Sequence, residues 1–389
     1  MIKVVLVSSL QPDTNYSQYL CRDLSKEVNK LLVYTDKNPK NEKLSGCGEV
    51  KLVWDKNLLF IPQIIKQLWK DKPNIVHFQH EMNMYGGLMT AVTFPILPTL
   101  ARLTGAMVVT TVHGVVDPKL VDSSFVSLFK GDKSKIPPFV LKLFFSYLYR
   151  GIGFFSDKLI VHTNLLKDVL VESYGINRNK VIVVAHGVSK LNLKDLRNDK
   201  YFLYFGYIVK RKGLESVVEG FKEFIAKNKN DKESKKNDFK LVLAGGVIKG
   251  QEFASEELKE FVKENKLEDK VIFTGFLDGK SIDEYFRHAY AIVIPSVISI
   301  AASGPLALAI SYEKCVLASR IGNFKEEIED GVDGILVEND KWDEAFSEIA
   351  EDLEKVKKIE RNVHKKAEER QWGKIAKVHS EIYTQVLGL

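Results

Sequence analysis

Three adjacent cations, Lys210, Arg211 and Lys212, stand between Gly206, which ends an apolar run, and Gly213, where a helical pattern opens. Cations at the end of a parallel strand suit phosphate, because charge-assisted hydrogen bonds are strong and such sheets bind ligands beyond the carboxyl ends of their strands. A second seat for an anion is written into Ala291–Asn323, AIVIPSVISIAASGPLALAISYEKCVLASRIGN, which reads as strand, loop, helix, strand. Here Ser303 is the expected N-cap of a helix over Pro305–Glu313, Gly304 lets a ligand approach the main chain, and Pro305 fits the first helical position. The N–H groups of Gly304 and Leu306 and the partial positive charge of the first turn then favour a diphosphate. A basic triplet is also what a solvated face carries, and many capped helix starts bind nothing. Each segment therefore gains meaning only if the two share a cleft.

Other strand ends carry polar or small residues. Leu243–Gly246 (LAGG) and Thr274-Gly275-Phe276 place glycine in the turn, so that Gly245, Thr274, Gly275 and Phe276 are candidates for a common ligand rim. His113 and Gly114 follow the apolar run MVVTTV, and His80 and Glu81 follow IVHF. A histidine there can hydrogen-bond sugar hydroxyls or phosphate, or be satisfied by loop backbone. His77, His162 and His186 also fall near strands, but their spacing makes no metal site, and neither a Ser-His-Asp set nor a P-loop signature is present.

The elements that must position these residues alternate between strand and helix. Strands are expected at Ile2–Val7, Lys30–Tyr34, Asn74–Phe78, Met107–Val112, Lys158–His162 and Val181–Ala185. A second set follows at Tyr201–Phe205, Lys240–Ala244, Lys270–Thr274, Ala291–Ile294, Lys314–Ala318 and Gly334–Val337. Their near-continuous apolar character and the intervening helical patterns imply α/β architecture, with right-handed crossovers and two doubly wound parallel sheets. The polar stretch Leu191–Lys200 is the linker, and lysine-rich Lys227–Lys240 reads as a solvated loop. A chain of 389 residues, 45% apolar and 28% charged, is long enough for two cores. Its net charge of +6 fits an anionic small ligand or surface better than dedicated nucleic-acid binding. Cys21, Cys47 and Cys315, odd in number and without a CxxC, suggest neither a disulfide framework nor zinc, and so a reducing compartment. No signal-peptide pattern precedes the first strand, which points to the cytoplasm.

Phe125–Phe155 interleaves aromatics with Lys130, Lys133, Lys135, Lys142 and Arg150. An apolar helix with basic flanks can lie in an anionic membrane interface, with Phe139, Lys142, Leu143, Phe144 and Arg150 as its contacts, or be a buried helix behind a surface loop. Gly86–Ala101 is apolar but short for a span and reads as core.

Taken together, FGYIVKRKGLE, LVLAGG, VIFTGFL, IVIPS, GNFKEEIEDGVDGILVEND and TVHG resemble successive motifs of the retaining glycosyltransferases of family 4, and Trp372–Leu387 resembles the family's final helix. The resemblance covers nearly the whole chain. It implies a GT-B fold, with an acceptor-side domain formed by residues 1–195 and 372–389 and a donor-side domain formed by 196–371, the last helix crossing back. It implies a nucleotide diphosphate sugar, UDP- or GDP-linked, as donor substrate, with no further cofactor and no metal. Gly206, Lys210, Arg211, Lys212, Ser303, Gly304, Pro305 and Leu306 would bind the diphosphate. Gly245, Thr274, Gly275 and Phe276 would line the base or ribose, and His80 and Glu81 the acceptor side. His113, Arg211 and Lys212 would carry catalysis.

The chain departs from the family at the donor motif, which has two glutamates separated by seven residues and a glycine three after the first. Alignment on Gly304 puts Ala301 and Ala309 in those places, and alignment on Pro295-Ser296 puts Ser299 and Ala307 there. Gln11–Tyr16 also replaces the family's first glycine-rich loop. The leading expectation is a metal-independent hexosyltransferase acting on a glycan or lipid-linked acceptor in the cytoplasm, including the inner face of the membrane. A non-catalytic GT-B partner or sugar-binding subunit, and a peripheral membrane scaffold, are the competing expectations.

Overall fold

The computed structural model describes residues 2–10, 15–37, 46–130, 136–228, 238–248 and 250–389. Seven parallel strands form the first sheet: β1 (Lys3–Val7), β2 (Lys30–Asp36), β3 (Glu49–Trp54), β4 (Ile75–His80), β5 (Met107–Val112), β6 (Lys158–Val161) and β7 (Val181–Val183). Six form the second: β8 (Tyr201–Phe205), β9 (Lys240–Ala244), β10 (Val271–Gly275), β11 (Ala291–Ile294), β12 (Val316–Ser319) and β13 (Ile335–Val337). Their orders, β3-β2-β1-β4-β5-β6-β7 and β10-β9-β8-β11-β12-β13, reverse direction between β1 and β4 and between β8 and β11. These reversals open the crevices in which doubly wound sheets hold ligands.

The central strands are buried along their whole length: every residue of β4 and of β11 is inside. That follows from helices on both faces, which let runs such as AIVI lie next to VLAS in β12 with Ile292 against Val316 and Val293 against Leu317. Polar residues in the same position need partners. His77 and Gln79 of β4, both fully buried, find them in each other, in Thr111 of β5 and in the Tyr383 hydroxyl.

The last helix, Trp372–Leu387, lies on the first sheet's side of the molecule, packed along the Asn15–Glu27 helix. Its Trp372, Ile375, Ala376 and Tyr383 share a core with Val4, Leu6 and Val33 of β1 and β2. The linker is bound to the second sheet's helices: Arg197 N–H donates to Arg287 O at 3.1 Å, Asp199 N–H to His288 O at 2.8 Å, and the Arg287 guanidinium to the carbonyls of Asn192 and Lys194.

Two expectations are corrected. Strand β3 was not foreseen; it is an edge strand with Glu49 and Leu52 exposed and Lys51 paired with Asp71, so it lacks the apolar run that marks its neighbours. Cys21 and Cys47, without any motif spacing, are joined as a disulfide because the Asn15–Glu27 helix packs beside the turn that leads into β3. The cysteine count thus gives no argument for a reducing compartment. Most of Lys227–Lys240 and of Gln11–Tyr16, and residues 131–135 of the aromatic-basic segment, lie outside the described residues. Among the described residues no helix is long and apolar enough to cross a membrane.

Candidate functional site

Lys210–Lys212 form a single turn of 3-10 helix at the β8–β11 switch point, ended by Gly213 in the left-handed conformation (φ 61°) that a side chain would strain. The three cations differ. Lys210 is held by Glu215 at 3.1 Å and by Glu257, pairs that raise its pKa against the pull of burial. Arg211 lies over the ring of Phe129 from the other domain, 5.7 Å from its centre, and near Glu81. Lys212 is half-buried, and among the described residues no carboxylate stands within ion-pair distance of it. Burial, reinforced by the neighbouring Arg211 charge, lowers its pKa to about 8. Two half-buried cations side by side are costly unless an anion completes the site.

At Gly245 the rim beside them has no room for a side chain. A Cβ at Gly245, just beyond β9, would fall 1.7 Å from the carbonyl oxygen of Gly206. At the end of neighbouring β10, the Thr274 hydroxyl donates to Gly275 O at 2.9 Å, and Phe276 presents an exposed ring next to Gly246.

The loop after β11 completes the same place. Val297 N–H donates to Arg211 O at 3.0 Å, tying the loop to the basic turn. The helix begins at Gly304 with Ser303 as its cap, whose hydroxyl accepts Leu306 N–H at 3.2 Å. This corrects the expectation for Leu306: its N–H is already taken and its side chain is buried, and Pro305 has no N–H, so Gly304 is the residue of this turn left to meet an anion.

On the far side the loop is joined to the first domain. Val115 N–H donates to Ile300 O at 2.7 Å, Gly114 and Ala301 form an antiparallel bridge, and Ile298 and Ile300 pack against the first core. Asn323, fully inside, donates its side-chain amide to Ala301 O at 2.9 Å and accepts from the Thr163 hydroxyl at 2.7 Å. Glu326 accepts N–H from Asn164 and Leu165, at the start of a first-domain helix. The basic turn, the capped helix and the His113–Gly114 strand end are therefore one locality.

His113, His162 and His77 are satisfied within one buried network. His113 Nε2 meets the Gln79 amide at 2.8 Å and its Nδ1 meets His162 Nε2 at 3.1 Å, while His162 Nδ1 faces Val184 O at 2.9 Å. Gln79 continues to His77 Nε2, whose Nδ1 reaches the Tyr383 hydroxyl at 2.7 Å, on the last helix. Burial holds His113 and His77 well below the ordinary histidine range and His162 at about 4, so the rings are neutral. A neutral His162 that donates to Val184 O must accept at Nε2, which makes His113 the Nδ1–H tautomer. Its Nε2 must then accept, which assigns the Gln79 amide with its oxygen and nitrogen exchanged relative to the placed atoms, NH₂ toward His113 and Oε1 toward His77. The expectation that the His113 ring offers itself to a ligand is corrected, since both nitrogens are already engaged. His80 is deeper than expected: it is fully inside against Phe94, neither ring nitrogen has a partner among the described residues, and burial lowers its pKa to about 4. Glu81, next to it, is exposed.

Comparison with known proteins bears on the family and the fold. A family model described as Glycosyltransferase Family 4 matches residues 14–190, and one described as Glycosyl transferases group 1 matches 191–370. The chain belongs to the family 4 glycosyltransferases. An uncharacterized glycosyltransferase of Methanocaldococcus jannaschii is 26% identical over 212 residues, 53% of this chain and 52% of that protein. The D-inositol 3-phosphate glycosyltransferase of Acidothermus cellulolyticus is 24% identical over 198 residues, 47% of this chain and 42% of its own length. The chain thus matches about half the length of these curated relatives. The Anabaena protein HepE, solved in complex with UDP, superposes with a TM-score of 0.73 over 99% of this chain and 100% of its own, at 15% identity, a likeness of GT-B fold.

Within the family 4 frame, the two alanines that stand for the donor-motif glutamates differ in kind. Ala301 is exposed at the bridge to Gly114, whereas Ala309 is wholly inside the second core. Under the alternative alignment, the Ser299 hydroxyl accepts Asn323 N–H at 3.0 Å, and Ala307 is buried. Among the described residues no cluster of histidine, cysteine and carboxylate could hold a metal ion. Asn323, Gln79 and Phe129 were not singled out from sequence. Asn323 and Phe129 had a signal, in the GNFKEE segment and in the aromatic-basic segment Phe125–Phe155, whereas Gln79 had none.

Proposed function

We propose that the protein is a retaining hexosyltransferase that takes its sugar from a nucleotide diphosphate donor, UDP- or GDP-linked, without a divalent metal. The observation that carries the reading is the half-buried Arg211–Lys212 pair beside the Gly304 helix start. Rupture of the sugar C1–oxygen bond passes through an oxocarbenium-like state while the departing diphosphate gains charge, and preorganised cations are worth most where charge develops. Lys212, Arg211 and the Gly304 N–H would carry that charge, with Gly206 giving the diphosphate room. Gly245, Thr274, Gly275 and Phe276 would border the base and ribose, the Phe276 ring as a stacking face. His113 would act through its strand end, holding the Gly114 backbone against the donor loop. Residues 196–371 would form the donor domain, and 1–195 with 372–389 the acceptor domain, with His80 and Glu81 on the acceptor side. The acceptor would be a glycan or a lipid-linked glycan, met in the cytoplasm or at the inner face of the membrane, and not a nucleic acid. The complex of a structural neighbour with UDP-glucose supports a hexose donor.

A panel of nucleotide sugars should include one or more that raise the melting temperature, and transfer from that donor should survive exhaustive chelation and give a product that keeps the donor's anomeric configuration. Activity lost to chelation and restored by magnesium or manganese would refute the metal-free mechanism. The absence of both donor-motif glutamates favours one alternative, a GT-B subunit that binds sugar nucleotide without turning it over. Binding without transfer across the acceptor panel would select it.

A further inference from the structure

The Pro138–Phe155 helix has two faces. Phe145, Leu148, Tyr149 and Ile152 enter the first core, while Phe139, Leu143, Tyr147 and Phe154 stand in solvent, Phe154 at 75% exposure. At about 100° per residue, those four exposed residues and Arg150 fall within an arc of about 80°. With side chains of roughly 150–250 Å² each, this face alone opens on the order of 500 Å² of largely apolar surface, near the upper end for a monomer. The two short helices that pack against it, Leu88–Thr93 and Ile96–Arg102, add exposed Leu88, Met89 and Ile96.

Charge identifies what covers such a face. From Met82 to Val116 the sequence contains no acidic residue, and from Ser123 to Phe155 only Asp132, against five lysines and arginines in the latter stretch. Lys142 and Arg150 are exposed, and among the described residues no carboxylate stands in ion-pair contact with either. Where the helix ends, Lys180 donates to the carbonyls of Gly153 and Ser156, setting another cation beside Phe154. A second copy of the chain would bring like charge against like. An anionic bilayer matches both properties, apolar side chains entering the headgroup boundary and cations meeting lipid phosphate.

The geometry points to this three-helix face as a docking surface for anionic membrane, with the Pro138–Phe155 helix lying in the interface plane. Docking requires neither donor nor turnover, so it stands or falls apart from the glycosyltransfer reading. The test is co-sedimentation of the full chain with vesicles of phosphatidylcholine, with and without phosphatidylglycerol, alongside sedimentation velocity of the protein alone. Binding should need the anionic lipid and fall as salt rises. Leu143→Glu should lower the bound fraction at least tenfold, Lys142→Gln and Arg150→Gln roughly fivefold each, and Leu353→Ser on the other domain not at all, with circular dichroism of all four like the parent. No binding at low salt, equal binding to neutral vesicles, or a dimer that Leu143→Glu dissolves would each overturn the proposal.

Discussion

At the end of β8 the cleft is lined by two half-buried cations with no carboxylate in ion-pair contact among the described residues, whereas at the ends of β5 and β6 it is lined by His113 and His162, bonded to each other and to Gln79 and Val184. The folds beneath are nearly the same, a doubly wound parallel sheet in each case. The second sheet spends the charge of Lys210 on Glu215 and Glu257 but leaves Lys212 without a carboxylate in ion-pair contact among the described residues, which suits a site that holds an anion. The first converts its polar residues into a closed neutral network reaching from Val184 through His162, His113, Gln79 and His77 to Tyr383. That network joins the strand ends to the crossing helix and gives the donor loop a fixed surface to rest on.

Acid should reveal this difference most strongly. His77, His80, His162 and His379 are fully inside, and burial lowers all four, to about 4 for His80, His162 and His379. Their folded pKa values lie below the unfolded value near 6.5, so below that pH the unfolded chain takes up protons that the folded one refuses. Stability is intact above about pH 6.5 and declines as pH falls toward 4, by up to about 1.4 kcal/mol per pH unit for each histidine. Denaturant melts at pH 7.5 and 5.5 will check it, and equal midpoints would mean that the histidines are not held neutral.

The two alanines at the donor-motif positions offer a contrast within the second domain. Ala309→Glu would place a carboxylate in a packed core without a partner, and should cost about 3 kcal/mol or more of unfolding free energy. Ala301→Glu, at an exposed position, should cost less than about 1 kcal/mol. Similar losses for both would show that the Ala309 helix is not seated as described.

Lys212→Ala should weaken binding of the free nucleotide diphosphate by roughly 1.5–3 kcal/mol, the range for a hydrogen bond to a charged group, as read by calorimetry. The parent should also bind less tightly as pH rises through about 8, where the lysine loses its charge, and the variant should lack that slope. His113→Ala should leave this affinity unchanged, since its ring bonds to Gln79 and His162 and not into the basic turn.

Much of this was legible in the sequence because it rests on runs and spacing. The central strands announce themselves by unbroken apolar stretches, and Ser303 caps its helix as expected, although the helix runs over Gly304–Ser311 and so opens one residue before Pro305. What escaped depends on contacts between distant segments. Nothing about His113 in isolation shows that Gln79 and His162 saturate its ring, nor does the spacing of Cys21 and Cys47 show that they meet. The basic triplet is the intermediate case, since its charge was visible but not which of its members would be spent on carboxylates.

That distinction leads to the smallest expected effect. Lys210 belongs to the same turn as Lys212, yet Glu215 and Glu257 already hold it and keep its pKa raised. Lys210→Ala should therefore change nucleotide diphosphate affinity by no more than about 0.5 kcal/mol, the scale of an ordinary surface substitution. Its pH profile should remain that of the parent, because the titrating Lys212 is untouched. Glu257→Gln should tighten binding slightly, by freeing part of the Lys210 charge toward the cleft. If instead Lys210→Ala matches Lys212→Ala, the turn binds as an undivided block of charge, and the assignment of the diphosphate to Arg211 and Lys212 is wrong.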